Sequence, residues 1–198
     1  MIQKEEDTKE KLIAAAISLI REDEQNISVR KIVRRAGVGV GLVNYYFRSK
    51  ENLVNIAVQR IVDEVIAKVP ALVKSSNGSP EAKLKLTIAK TMEYLDSHAN
   101  VSRLSILRDM NDGNSRDNTQ LSVEAYDRIL KEIIPDDRRR FLAGHILCSS
   151  IQSLFLRERV LSETADFDFH NEEQRRIFID NLVSTVLSGI NSSYCSRE

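Results

Sequence analysis

Six basic residues, Arg30, Lys31, Arg34, Arg35, Arg48 and Lys50, fall in a window from Gln25 to Lys50 that holds no aspartate or glutamate. The chain as a whole is neutral, with 29 basic and 29 acidic residues, so this positive charge is local. Clustered guanidinium and ammonium groups are suited to neutralising phosphates. The same window carries Asn44 and Tyr45, whose polar groups can reach base edges or phosphates, and Gly39 and Gly41, which permit close backbone approach. Reading a duplex needs a short helix that enters the major groove, about 12 Å wide. The stretch from Val40 to Tyr46 supplies one. A charge run is more often a plain solvated face. Here a glycine turn, an aromatic pair and a Ser-Lys-Glu helix start accompany it and favour nucleic acid.

Other residue types could do different chemistry. His145 and Cys148 stand three apart on one helix and could meet, but a Cys-His nucleophile also needs an orienting group and an oxyanion site. Buried helix positions are the better reading for both. Asp166, Asp168 and His170 alternate in a loop and could approach a metal, yet no second cluster with ligand spacing accompanies them. A solvated loop that caps the next helix fits better. No glycine-rich phosphate loop of the Walker or dinucleotide type is present. No catalytic residue, metal site or cofactor is expected, and the chain is read as not an enzyme.

The elements that must position these groups are helices. Leu12, Ala15, Ala16, Leu19 and Ile20 recur at helical spacing, with a start expected at Asp7 or Thr8 and an end in the polar run Glu22 to Asn26. Ser28 caps a second helix whose Val29, Ile32, Val33 and Ala36 face the first, leaving Arg30, Lys31, Arg34 and Arg35 toward solvent. Gly37 ends it. The third helix follows, Phe47 packs back, and Ser49 caps a fourth from Lys50, which Pro70 ends or kinks. Ser75 to Pro80 reads as a linker, with Ser79 and Pro80 opening the next helix. Further helices are expected over Glu81 to Ser97, Val101 to Asn111, Gln120 to Ile134, Arg138 to Leu161 and Glu172 to Ile190. Asp112 to Asn118 and a polar stretch with Phe167 and Phe169 are loops, and Ser192 to Glu198 frays.

With 198 residues, 42% hydrophobic content, seven glycines and three prolines, the chain can bury a core of nearly pure helix. Two cysteines, Cys148 and Cys195, make no disulfide framework. The charged N-terminus lacks a signal core, and no apolar run approaches the roughly 20 residues of a membrane span. A cytoplasmic protein without membrane contact is expected.

The N-terminal residues resemble the tetracycline-repressor (TetR) family of bacterial transcription regulators. The resemblance rests on Ala15-Ala16, Ser28, Ala36-Gly37-Val38, Gly41, Tyr45-Tyr46-Phe47 and Lys50-Glu51-Asn52-Leu53. It covers about the first fifty residues and is strong in combination. It implies an all-α fold of about nine helices: a three-helix helix-turn-helix domain over residues 1–48 and a larger effector-binding and dimerisation domain over residues 49–198. It also implies that Ser28 donates to a phosphate, that Tyr45 and Tyr46 contact the DNA backbone and that Lys50 holds a phosphate. Ser28, Arg30, Val40, Asn44, Tyr45, Tyr46 and Lys50 are therefore the expected DNA-facing set. Three positions depart from the family pattern: Gly39 replaces a Ser or Thr, Val33 an alanine and Asn44 a tyrosine. The first and last bear on which operator is read.

The resemblance further implies a double-stranded DNA operator, a homodimer and a small-molecule effector as partners. Two-fold symmetry would set two recognition helices about 34–36 Å apart. Phe141, His145, Ser149 and Gln152 on one long C-terminal helix, and Phe178, Leu182 and Thr185 on the other, are the expected dimer contacts. The same faces could instead be core. Met92, Leu95, Leu107, Met110, Tyr126 and Phe155 are candidate pocket residues for a hydrophobic or amphipathic effector, although plain core is the commoner role for residues of this kind. The expected function is a ligand-responsive regulator, most simply a repressor. A helical interaction protein or small enzyme without DNA binding is the alternative. Helix four is expected to transmit the effector signal, being the covalent connection between the domains.

Overall fold

The computed structural model describes residues 2–22, 26–66 and 78–192. Pro70, the linker residues Ser75 to Asn77, Cys195, residues 23–25 of the first polar run and residues 193–198 lie outside them. So do the side chains of Val65 and Ile66. Ten helices and no strands are present among the described residues, an all-α fold. They are α1 (Ile2–Arg21), α2 (Val29–Ala36), α3 (Gly41–Phe47), α4 (Lys50–Ile66), α5 (Pro80–Ser97), α6 (Ala99–Asp112), α7 (Asn118–Leu130), α8 (Asp137–Leu156), α9 (Glu158–Ala165) and α10 (Glu172–Ser192).

The chain divides into two compact units. The first takes Met1–Ala67 with Asn100–Arg108, and the second takes Lys68–Ala99 with Asp109–Glu198. Helix α6 thus contributes to both. Helix four is therefore not, as was expected, the one covalent connection between the units.

In the first unit α1 packs against α2 and α4, and α3 against α4. Leu12, Ala16 and Leu19 of α1, Ile32 of α2, Val43 and Phe47 of α3, and Leu53, Ala57 and Ile61 of α4 form one core with Val101 of α6. On α1, α3 and α4 these side chains repeat at three- or four-residue spacing, which is how a short amphipathic helix gains stability it lacks alone. Bidentate pairing of Arg60 with Glu10 (2.5 and 2.7 Å) and an Arg21–Glu64 pair (2.6 Å) cross from α4 to α1. These pairs are solvent-exposed and orient more than they stabilise.

Helix α1 begins at Ile2, five residues ahead of Asp7. Asp7 does not cap; it lies inside the helix and accepts from Lys11 at 2.7 Å, an i,i+4 pair that supports the extra turns.

In the second unit α7 and α8 pack closely, with α5 and α10 around them. Leu84, Ile88 and Met92 of α5, Val123, Tyr126 and Leu130 of α7, Leu147, Ile151 and Phe155 of α8, and Val183 of α10 are buried side chains of these helices. Gly144 permits the approach of α8 to α7: a Cβ there would stand 3.1 Å from the Val123 side chain. Arg140 is buried and joins Asp127 (2.6 Å), Asp137 and the carbonyls of Ile134 and Pro135, tying the α7–α8 turn together.

The expected helix from Arg138 to Leu161 is two helices. Arg157 leaves helical geometry (φ −109°, ψ 16°), and α9 follows with no buried residue. The loop after α9 is anchored rather than wholly solvated: Phe169 is 1% exposed and meets Phe155 edge-on at 5.5 Å.

Candidate nucleic-acid interface

Ser28 is extended (φ −106°, ψ 155°), and its hydroxyl oxygen accepts from the Lys31 N–H at 3.3 Å, starting α2. The hydroxyl proton remains available as a donor. Gly37 ends α2 at φ +67°, a conformation costly for any residue with a Cβ. The N–H of Val38 then reaches the Val33 carbonyl at 3.1 Å and turns the chain toward α3.

Helix α3 is two-faced. Val43 and Phe47 are buried, with Leu42 and Tyr46 packed beside them. Val40 is 57% and Tyr45 69% exposed, and Asn44 is exposed between them. The outward side chains therefore lie one turn apart on one face. A Cβ placed on Gly39 or Gly41 would meet nothing within 4 Å, so the helix start is open.

The two tyrosines divide the work. Tyr45 projects outward, while Tyr46 is half-buried against the core and its hydroxyl bonds Thr8 of α1. Burial and the nearby Glu5 carboxylate push the Tyr46 phenol up from its usual range. Their rings meet edge-on at 4.9 Å, so Tyr46 braces Tyr45.

The basic residues also differ. Arg35 turns back to α1 and grips Glu22 through two bonds of 2.5 and 2.9 Å, with a third to Ser18. That pairing, with the Ser18 hydroxyl, holds the Glu22 carboxyl at about 2. Arg35 is exposed, as expected, but its charge is matched by Glu22. Arg30 and Arg34 are exposed and meet no carboxylate among the described residues. Lys50, at the start of α4, lies 3.5 Å from Glu51. Ser49 caps α4, accepting from the Asn52 N–H at 3.1 Å, and the Asn52 amide donates back to the Phe47 carbonyl at 3.0 Å. The end of α3 is thereby fixed to the start of α4.

This is the two-helix hairpin that a TetR-type reading requires. Residues 12–56 match the sequence pattern of the bacterial regulatory proteins of the tetR family. Residues 12–56 thus carry the N-terminal domain pattern of the tetR family. A curated relative, the HTH-type transcriptional dual regulator CecR of Shigella flexneri, is 40% identical over 63 residues. That match spans 32% of this chain and 28% of the relative, less than a third of either. The fold extends further. A transcriptional regulator from Rhodococcus sp. Rha1 superposes with a TM-score of 0.66 at 18% identity, over 91% of this chain and 96% of that one. FadR from Bacillus subtilis, solved in complex with stearoyl-CoA, superposes with a TM-score of 0.62 at 19% identity, over 90% and 97%.

The second unit sorts the remaining candidates. Met92, Leu95, Tyr126 and Phe155 are buried there, whereas Leu107 and Met110 are 50% and 57% exposed and do not join them. Phe141, Leu142 and Ile146 of α8 and Ile177 of α10 are exposed apolar residues. Ser149 and Thr185 are exposed, and His145, Phe178 and Leu182 are half-buried. Gln152 differs from the expected outward placement: it is buried, and its amide donates to Thr119 Oγ1 at 2.8 Å. The Thr119 N–H and hydroxyl in turn donate to the buried Asp109 carboxylate at 2.9 and 3.1 Å. This Asp109–Thr119–Gln152 chain escaped the sequence reading. Its signal was a polar residue, Asp109, one turn beyond Ser105 on the buried stripe of α6.

His145 does not meet Cys148. Its Nδ1 lies 3.0 Å from the Phe141 carbonyl, and its ring tilts over the Phe141 ring at 4.1 Å. Burial pushes the Cys148 thiol up to about 12, the opposite of a poised nucleophile. The His170 ring Nδ1 lies 2.5 Å from the Asp96 carboxylate, while its backbone N–H donates to Asp168 at 2.9 Å. Among the described residues no three His, Cys, Asp or Glu side chains are placed to hold a metal ion, and no helix is long and apolar enough to cross a membrane.

Proposed function

We propose that this chain is a cytoplasmic, ligand-responsive transcription regulator of the TetR family that acts as a homodimer on a pseudo-palindromic operator. Residues 1–48 read DNA, and residues 49–198 bind the effector and dimerise. The observation that carries this reading is the outward face of α3, with Val40, Asn44 and Tyr45 exposed within a stretch, Gln25 to Lys50, that holds six basic residues and no acidic one. Asn44 reads a base edge, Tyr45 and Ser28 contact phosphates, and Arg30 and Lys50 add charge. Tyr46 acts through Tyr45.

Dimerisation through α8 and α10 is supported by Phe141, Leu142, Ile146 and Ile177, apolar side chains that a monomer leaves in water. The effector is hydrophobic or amphipathic. A long-chain acyl thioester is the class to try first, because FadR, which shares the fold, was solved with stearoyl-CoA. Met92, Leu95, Tyr126 and Phe155 offer the apolar surroundings for such a chain. Effector shifts the dimer toward a state whose α3 helices no longer fit successive grooves, releasing the operator and relieving repression. Coupling of about 1–3 kcal/mol changes operator affinity 5–150-fold.

Selection of duplexes from a random library by the full chain tests the reading. Enrichment of a pseudo-palindrome supports it, and its absence with a folded dimer counts against it. Titration of the selected duplex with acyl-CoAs of increasing chain length then tests the effector class.

A further inference from the structure

We propose that Arg48 is an additional phosphate contact of the DNA-reading unit, held there by a backbone conformation that works against stability. The inference rests on the DNA-binding reading above. Arg48 closes α3: its N–H donates to the Asn44 carbonyl at 3.1 Å, and its backbone adopts φ 66°, ψ −33°. The left-handed basin open to ordinary residues is centred at about φ +57°, ψ +47°. The ψ of Arg48 falls well outside it. Asp166, the other non-glycine residue of positive φ among the described residues, sits inside that basin at φ 50°, ψ 36°, where aspartate is tolerated. Glycine would suit position 48 better, as it does position 37. A strained non-glycine residue is kept where its side chain has a use beyond folding.

The side chain has that opportunity. Arg48 is exposed, and among the described residues its guanidinium meets no carboxylate and makes no hydrogen bond. Two other cations of the window are engaged: Arg35 by Glu22, and Lys50 at 3.5 Å from Glu51. Arg48 stands one turn beyond Asn44, at the end of the exposed face of α3. Phosphate strands border the major groove on both sides, so a cation at the end of a helix lying in the groove meets one of them. The guanidinium fork matches phosphate oxygens in bidentate fashion. A charge that only balanced the negative end of the helix dipole would need no strained backbone and would leave DNA affinity alone.

The test uses the full chain with Arg48→Gly and Arg48→Lys, a fixed duplex taken from the library selection, and binding over a range of salt. Arg48→Gly should raise the melting temperature by about 2–4 °C, as relief of strain does in a chain of this size. It should also lower duplex affinity about 10-fold near 0.1 M salt and reduce the log–log salt slope by about one. Arg48→Lys should keep the slope and the wild-type melting temperature while losing part of the affinity. A more stable Arg48→Gly with unchanged affinity and slope overturns the proposal and leaves DNA binding intact. A wild-type chain with no salt-dependent affinity for duplex DNA overturns both.

Discussion

Arg108 and Asp109 are neighbours on α6 whose side chains serve different compact units. Arg108 donates to the Gln59 side chain of α4 at 3.0 Å, within the first unit. Asp109 accepts from Thr119 of α7, within the second. One helix is therefore gripped by α4 through one residue and by α7 through the next. Removing the Asp109 carboxylate leaves the Thr119 N–H without its acceptor. Asp109→Ala should cost about 1–3 kcal/mol in urea unfolding, and Asp109→Asn less, since its amide oxygen still accepts. An Asp109→Ala chain within about 0.5 kcal/mol of wild type would mean that the contact is incidental.

Two residues proposed to meet DNA, Asn44 and Lys50, should fail in different ways. Asn44→Ala should lose about 1–3 kcal/mol of discrimination at one base pair, read by repeating the library selection. Lys50→Ala should weaken all duplexes alike and lower the salt slope by about one. A uniform loss for Asn44→Ala would move that residue to the backbone class.

Tyr45 and Tyr46 separate binding from stability. Tyr45→Ala should reduce duplex affinity with little change in melting temperature, because its ring is 69% exposed. Tyr46→Ala should destabilise the first unit by about 1–3 kcal/mol, because it removes a half-buried ring and the partner of Thr8. Equal loss of stability in the two variants would contradict the two-faced reading of α3.

His170 sets a pH dependence. Its bond to Asp96 raises the imidazole above its ordinary value against the opposing effect of burial, and the Asp96, Glu158 and Asp168 carboxylates add to the rise. Arg175, which donates to the same Asp96 at 2.8 Å, is the cation on the other side. A raised folded value means the protonated form is the one that binds. The contribution is fully present below about pH 6.5, the unfolded value, and is lost as pH rises through the folded value. His170→Gln should flatten that limb of melting temperature against pH between 5 and 9. An unchanged profile would show that the His170–Asp96 bond adds nothing in solution.

Much of the first unit was legible because its signals are local. Ser28, Gly37 and Ser49 announce their turns by backbone chemistry that needs no distant partner, and the α3 and α4 boundaries followed. The start of α1 was misplaced because Asp7 is as good a helix-interior partner for Lys11 as it is a cap. The break at Arg157 has no proline or glycine to mark it. Placement of side chains was less legible. Arg35 and Gln152 depend on Glu22 and Thr119, groups brought near only by packing, and periodicity assigns a face without saying what covers it. Tyr45 and Tyr46 look alike in sequence; a rotation of about 100° along the helix sends one out and one in.

The empty space around Gly39 and Gly41 has a meaning for descent. Neither backbone is left-handed and neither position has a neighbour that a methyl group would strike. Folding does not hold these residues in place, so mutation there is filtered by the operator and not by stability. A lineage carrying this chain can therefore change what it regulates through one or two substitutions at the mouth of α3, keeping its core untouched, and related chains are expected to diverge in target preference sooner than in architecture.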